Sequence, residues 1–296
     1  MTKSSVRYLV TGFLFAILWA SASSAGKIGL QSAEGLVLFT VRFIIAGILL
    51  LGYATFVQRD RLPEKKEWLP LTIFGAFNTT IYLGVFIISL EEVTAGITSI
   101  AVALNPLLIS VMTAVWLKRR VAKIEWISIL VGIAGVSIAS YPLLRNSYAT
   151  VTGLILLGTC MVAYSFGSVY YASVPWKLSR TAINGWQVLI GGILLLPFAF
   201  VFHARPNEFD LRFWLSILWL VVPVSIGAVQ LWLYILKSDA VKASLWLFLC
   251  PIFGLVFASI LLHEPFTFYT AIGTLLVLVA LLLGQRELLT KNYASK

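Results

Sequence analysis

Arg42 lies inside an apolar run read as a helix over residues 35–57, about 10 Å from its outer end at about 1.5 Å per residue. A guanidinium at that depth costs about 3 kcal/mol on insertion scales, so it needs a partner or a water-filled cavity. Two readings stand. In one it is a structural pin, bonded to helix carbonyls or reaching outward to Glu34; in the other it anchors an anionic group, such as a carboxylate, of a bound solute. Other polar side chains share the apolar runs. Asn78 and Tyr82 stand four apart and so share a helix face, and Gln230 and Tyr234 repeat that spacing. Both pairs can line a cavity or bond helix to helix. Trp19, Tyr164 and Trp246 lie near helix middles, away from the interfacial belts that suit Trp68, Trp126 and Trp214. They fill the core or wall a pocket, and ring faces in a pocket favour an apolar body or an organic cation.

Hydrolytic and metal chemistry find little support. All twelve Asp and Glu fall in loops or near helix ends, among them Glu34, Glu92 and Glu264, and His203 and His263 are also terminal. Spacings such as HExxH and CxxC do not occur. No catalytic residue, metal or cofactor is expected. Cys160 and Cys250 are expected as buried, reduced thiols.

The elements that position these residues follow from composition. With 60% apolar and 11% charged residues and a mean hydropathy of +0.95, the chain belongs in a bilayer. Ten apolar stretches fit helices at 6–25, 35–57, 68–90, 93–117, 124–143, 150–172, 182–203, 211–236, 241–262 and 267–285. Shifted by 145 residues, the chain matches itself. Gly47-Ile48-Leu49-Leu50-Leu51 falls on Gly192-Ile193-Leu194-Leu195-Leu196, Ser99 on Ser244, Trp19 on Tyr164, Arg42 on Gln187 and Pro106 on Pro251. Two units, 1–145 and 146–296, are expected, and five helices in each put the second upside down relative to the first. Gln187 keeps hydrogen-bonding capacity without charge, so the halves differ chemically. Pro106 and Pro251 each lack an N–H and free a carbonyl four residues earlier, at Val102 and Leu247. Their matched placement favours a hinge or site-forming break over a simple kink.

Lys and Arg test the helix count independently. With the N-terminus inside, 17 of 22 fall in cytoplasmic segments, including Arg7, Lys118, Arg119 and Arg180. Lys27, Arg145, Arg205 and Arg212 fall outside. Topology therefore explains the net charge of +10 better than nucleic acid does, because the basic residues are dispersed among short loops. Lys3 and Arg7 before an apolar run and Ala20-Ser21-Ala22 imitate a cleavable leader. The repeat argues that the segment stays as the first helix.

On these residues the chain resembles the ten-helix, EamA-type branch of the drug/metabolite transporters over nearly its full length. The resemblance rests on Trp19-Ala20, the position of Arg42, the run Ala103-Leu104-Asn105-Pro106 closing in Trp116-Leu117, Leu249-Cys250-Pro251, the run from Leu261 to Pro265 containing Glu264, and Gly273. The first unit carries Lys118-Arg119 where the family commonly has a Glu. The resemblance implies ten helices with both termini cytoplasmic and a central cavity walled by the first, third, fourth, sixth, eighth and ninth helices. It also implies movement of small metabolites such as amino acids and amines.

These readings converge on an inner-membrane secondary carrier for a small polar or zwitterionic metabolite, working as a monomer by alternating access. The site would hold Trp19, Arg42, Asn78, Tyr82, Ser99, Tyr164, Gln187, Gln230, Tyr234 and Trp246, with Pro106 and Pro251 as hinges. A choline-like amine carrier and a receptor that binds without moving its ligand are the alternatives. Without a deep carboxylate, exchange or facilitated diffusion is expected rather than strict proton coupling.

Overall fold

A computed structural model describes residues 3–89, 92–93, 95–144, 149–262 and 267–286. His263, Glu264 and Pro265, on which part of the resemblance rests, lie outside them, as does Arg145. The described residues are helical apart from short connections and one isolated bridge between Val93 and Ala149. That is the expected result in lipid, where every backbone polar group must be satisfied within its own segment.

Among the described residues ten longer helices follow in order, with one further helical turn at Tyr141–Leu144. They are α1 (Lys3–Gly29), α2 (Gly35–Val57), α3 (Lys65–Ser89), α4 (Ile97–Trp116), α5 (Lys123–Ala139), α6 (Val151–Ser173), α7 (Arg180–Val201), α8 (Leu211–Ser238), α9 (Ala240–Phe257) and α10 (Phe268–Gly284). Eight are long and apolar enough to cross a membrane. The other two, α5 and α10, have 17 residues each, the lower limit for a span, and they are repeat mates that pack on one another. Several starts are set by short polar side chains accepting a backbone N–H. Thr150, Ser179, Asp210, Asp239 and Thr267 accept from Gly153, Ala182, Phe213, Lys242 and Thr270. At two further starts Glu67 and Glu125 bond back to the N–H groups of Glu64 and Ala122. The outward faces carry exposed Phe56, Val115, Ile155, Phe200, Val201 and Leu218, which only a lipid environment accommodates at this density.

The two repeats meet helix against repeat mate, and their contacts obey twofold exchange. In α2 against α7, a Cβ on Gly47 would come within 2.6 Å of Leu189, and one on Gly192 within 3.0 Å of Phe43 and 3.3 Å of the Ile44 nitrogen. The Gly47–Leu189 and Gly192–Ile44 pairs map onto each other under the 145-residue shift. In α5 against α10, a Cβ on Gly135 would reach the Gly273 carbonyl at 2.9 Å. The mapped pair is Ser128 and Ala280, joined by a 2.6 Å hydrogen bond from the Ser128 hydroxyl to the Ala280 carbonyl. Small residues let these backbones approach, which is how helices associate where lipid offers no hydrophobic drive.

Gly273→Leu should lower the melting temperature in detergent, because overfilling this contact costs about 1–3 kcal/mol. Gly158, which has open space around its Cβ position, should accept Leu with no change. Equal melting curves for the two variants would remove α5–α10 contact as a determinant of the fold.

Candidate functional site

Arg42 is 2% exposed, and among the described residues its charge meets no carboxylate. Its Nε donates to the Ser225 hydroxyl of α8 at 2.8 Å, and its guanidinium lies over the rings of Phe39 and Phe43 at 5.2 and 5.1 Å. The partners are thus a hydroxyl and two ring faces. Glu34, the one acid within the expected reach, is engaged elsewhere. It accepts from the backbone N–H of Ala204 at 2.7 Å and of Arg205 at 2.8 Å, and it pairs with the His203 Nδ1 at 2.6 Å. Burial pushes the Glu34 carboxyl up, but the donors of Ala204, His203 and Arg205 outweigh it and hold the pKa at about 2. The outward-reaching pin is therefore corrected: Glu34 ties the α1–α2 loop to the α7–α8 loop, and Arg42 points into the bundle.

From Ser225 the polar contacts run on through buried side chains. Asn184 donates to the Ser225 carbonyl at 2.9 Å, and Gln187 donates to Asn184 at 3.0 Å. The Gln187 carbonyl oxygen accepts from Asn78 at 3.1 Å and from Thr79 at 2.7 Å. Arg42 of the first repeat therefore hangs on α8 of the second, and its mate Gln187 hangs on α3 of the first. The crossing is made possible by local backbone widening. Residues Ala76–Gly84 of α3 and Leu220–Ala228 of α8 form π-helical turns at almost the same place in the repeat, and such turns shift which residues face inward. Asn78, Thr79 and Ser225 all sit on them. Within this network the Asn78 side-chain oxygen is fully buried and, among the described residues, accepts no hydrogen bond.

Next to the network an aromatic series crosses the bundle. Tyr82 and Tyr164 have ring centroids 4.5 Å apart, Tyr164 stacks on Trp232 at 5.9 Å, Trp232 on Phe15 at 4.9 Å, and Phe15 meets Trp19 at 5.9 Å. Trp246 packs on α1 over Gly12, where a Cβ would come within 2.1 Å of the indole. Ser99 is half-buried in the first segment of α4.

The two helices that carry the repeat-matched prolines, α4 and α9, are both interrupted close to them. α4 stops at Leu104 and restarts as Asn105–Trp116, with Pro106 in the first turn. α9 passes through a 3-10 turn, Leu245–Phe248, before the segment Leu249–Leu262 that carries Pro251. The break in α4 is held to α6, since Ser165 donates to the Asn105 carbonyl oxygen at 3.2 Å and the Asn105 amide faces the Met161 sulfur at 3.2 Å.

Gln230 and Tyr234 stand apart from this centre. With Arg7, Thr11, Arg180 and Leu231 they line a cavity of about 220 Å³ between α1, α7 and α8, at the end of the bundle where Arg7 and Gly284 emerge. Arg42 is not among the residues lining this cavity. Ser225, Asn184, Thr79, Phe15 and Trp232 are the central side chains that sequence reasoning missed. Asn184 was legible as a polar residue one turn before Gln187 on the same face. Ser225 carried a weaker signal, as the repeat mate of Thr80.

Two outcomes follow. Gln187→Leu strips partners from Asn78, Thr79 and Asn184 together and should cost about 2 kcal/mol or more of unfolding free energy, while Gln230→Leu at the half-exposed cavity wall should cost under about 1 kcal/mol. Glu34 has a depressed pKa in the folded state, so its stabilisation is present above the ordinary carboxylate value and lost as pH falls toward about 2. Thermal melts taken between about pH 5 and pH 2 should show a steeper acid loss in the wild type than in Glu34→Gln; parallel curves would contradict the loop lock.

The model of the EamA-like transporter family matches residues 6–141 and again 151–284. Relatives aligned over most of their length include an uncharacterized transporter of Synechocystis sp., 26% identical over 97% of this chain and 92% of that protein. Another is the uncharacterized transporter YvbV of Bacillus subtilis, 26% identical over 97% and 93%. The chain is also similar to the uncharacterized inner membrane transporter YedA of Escherichia coli, at 27% identity over 77% of this chain and 74% of that one. A protein of known crystal structure superposes with a TM-score of 0.79 at 18% identity, covering 94% of this chain and 98% of that chain, which speaks for the fold. A family match that covers nearly the whole chain in two successive parts makes this chain a member of the EamA-like transporter family, an integral membrane transporter.

Proposed function

We propose that the protein is a secondary carrier for a small zwitterionic metabolite, an amino acid or a close relative, and that Arg42 receives the carboxylate. One observation carries this reading. Arg42 is a buried cation whose partners among the described residues are a hydroxyl and two rings. Burying such a charge is costly unless it is paired, and a solute carboxylate would supply a charge-assisted bond. The unpaired Asn78 oxygen and the Tyr82, Tyr164 and Trp232 rings offer an acceptor and π-faces of the kind an ammonium group prefers. Trp19, Ser99, Gln187 and Trp246 belong to the same proposed site. Gln230 and Tyr234 serve its entrance.

The units 1–145 and 146–296 would rock about the breaks at Pro106 and Pro251. The distribution of Lys and Arg supports placing both termini in the cytoplasm of a cell whose inner membrane holds the protein as a monomer. Its partners would then be the solute and the surrounding lipid, with no nucleic acid. Glu34 stays ionised through the physiological range, which supports exchange or facilitated diffusion over proton coupling at that residue. The aromatic series favours a second reading, a choline-like amine carrier.

A thermal-shift screen of purified protein against amino acids, quaternary amines and nucleoside metabolites selects the solute, and proteoliposome counterflow then measures its movement. Arg42→Gln should weaken a carboxylate solute about tenfold to a hundredfold, the worth of a charged hydrogen bond. Counterflow unchanged in Arg42→Gln would favour the amine carrier, and binding without flux would favour a receptor.

A further inference from the structure

The cavity between α1, α7 and α8 is built for an oxyanion. Arg7 of α1 and Arg180 of α7 come from opposite repeats and both sit over the ring of Tyr234, at 5.3 and 4.9 Å from its centroid. Among the described residues neither arginine has a carboxylate within ion-pair distance. Elsewhere at this end of the bundle Arg61 is held by Glu67 at 2.6 Å, and Arg119 by Glu125 at 2.7 Å and Asp239 at 2.8 Å. Among the described residues Arg180 donates to the Gln230 carbonyl at 3.5 Å, and the Thr11 hydroxyl and the Gln230 side chain add to the polar lining. Two cations drawn to one ring across a cavity of about 220 Å³ repel each other until an anion lies between them, and guanidinium groups match the planar oxygens of carboxylate and phosphate.

We infer that Arg7 and Arg180, positioned by Tyr234, form an entrance site for a carboxylate or phosphate group, which receives the anionic end of the solute before Arg42 does. The second clause rests on the carrier reading above, whereas the oxyanion site itself does not. The shared chemistry admits two sources, a free solute and a lipid headgroup.

Arginine modification by phenylglyoxal, read by peptide mass spectrometry on the full chain in nanodiscs, tests both. In neutral phosphatidylcholine, acetate or inorganic phosphate should slow modification of Arg7 and Arg180 about fivefold or more and leave exposed Arg59 unchanged. Protection that appears without added anion in phosphatidylglycerol nanodiscs assigns the site to a lipid headgroup. Tyr234→Leu, which keeps both charges and removes their platform, should abolish protection. Equal modification of Arg7, Arg180 and Arg59 under every condition would overturn the site. Protection together with unaltered counterflow in Arg180→Gln would leave the oxyanion site standing and overturn its part in solute entry, an outcome separate from loss of the carrier reading through Arg42→Gln.

Discussion

The structure depends on a positive charge that has been taken out of water and, among the described residues, given only neutral partners. Arg42 cannot sit 2% exposed within lipid-spanning helices unless its donors are met, and Ser225 meets one of them from the other repeat. That single bond reaches Asn184, Gln187, Asn78 and Thr79 through successive contacts. The helices bearing these residues are therefore constrained relative to one another, and α3 and α8 take π-helical turns where their polar side chains must face the network. A polar chain of this kind is stable when satisfied and costly when broken, so it fixes where the two repeats meet.

Symmetry and its violation divide the labour. The glycine contacts of α2 with α7 and of α5 with α10 obey twofold exchange, which builds a scaffold from one packing solution used twice. The chemistry departs from exchange at the position where Arg42 faces Gln187. One half then holds a charge and the other an amide, so the two sides of the centre differ chemically. The interrupted helices α4 and α9 lie beside this centre, and their tightened turns at Leu104 and at Leu245–Phe248 leave each helix in two segments around a proline.

Much of this was legible in the amino-acid order. Helix positions follow from apolar runs whose length matches a bilayer, and the 145-residue repeat pairs each helix with its mate. The positions of Pro106 and Pro251 gave the breaks because proline removes a fixed backbone bond. The partner of Arg42 was not legible, because a hydroxyl such as Ser225 bonds almost anywhere in a bundle and its aim depends on a π-helical turn that no local pattern announces. Arg7 and Arg180 were read as loop charges, since sequence shows their side of the membrane and not the ring they share. Gln230 and Tyr234 repeat the spacing of Asn78 and Tyr82, yet they lie further along their helix, and three-dimensional placement sends them to the cavity lined by Arg7 and Arg180.

The most direct measurement is a double-mutant cycle between Arg42→Gln and Ser225→Ala on the unfolding free energy in detergent micelles. A bond that joins the repeats through a buried charge predicts a coupling of about 1 kcal/mol or more. Strictly additive losses would contradict the account, because Arg42 would then be held by something other than the opposite repeat.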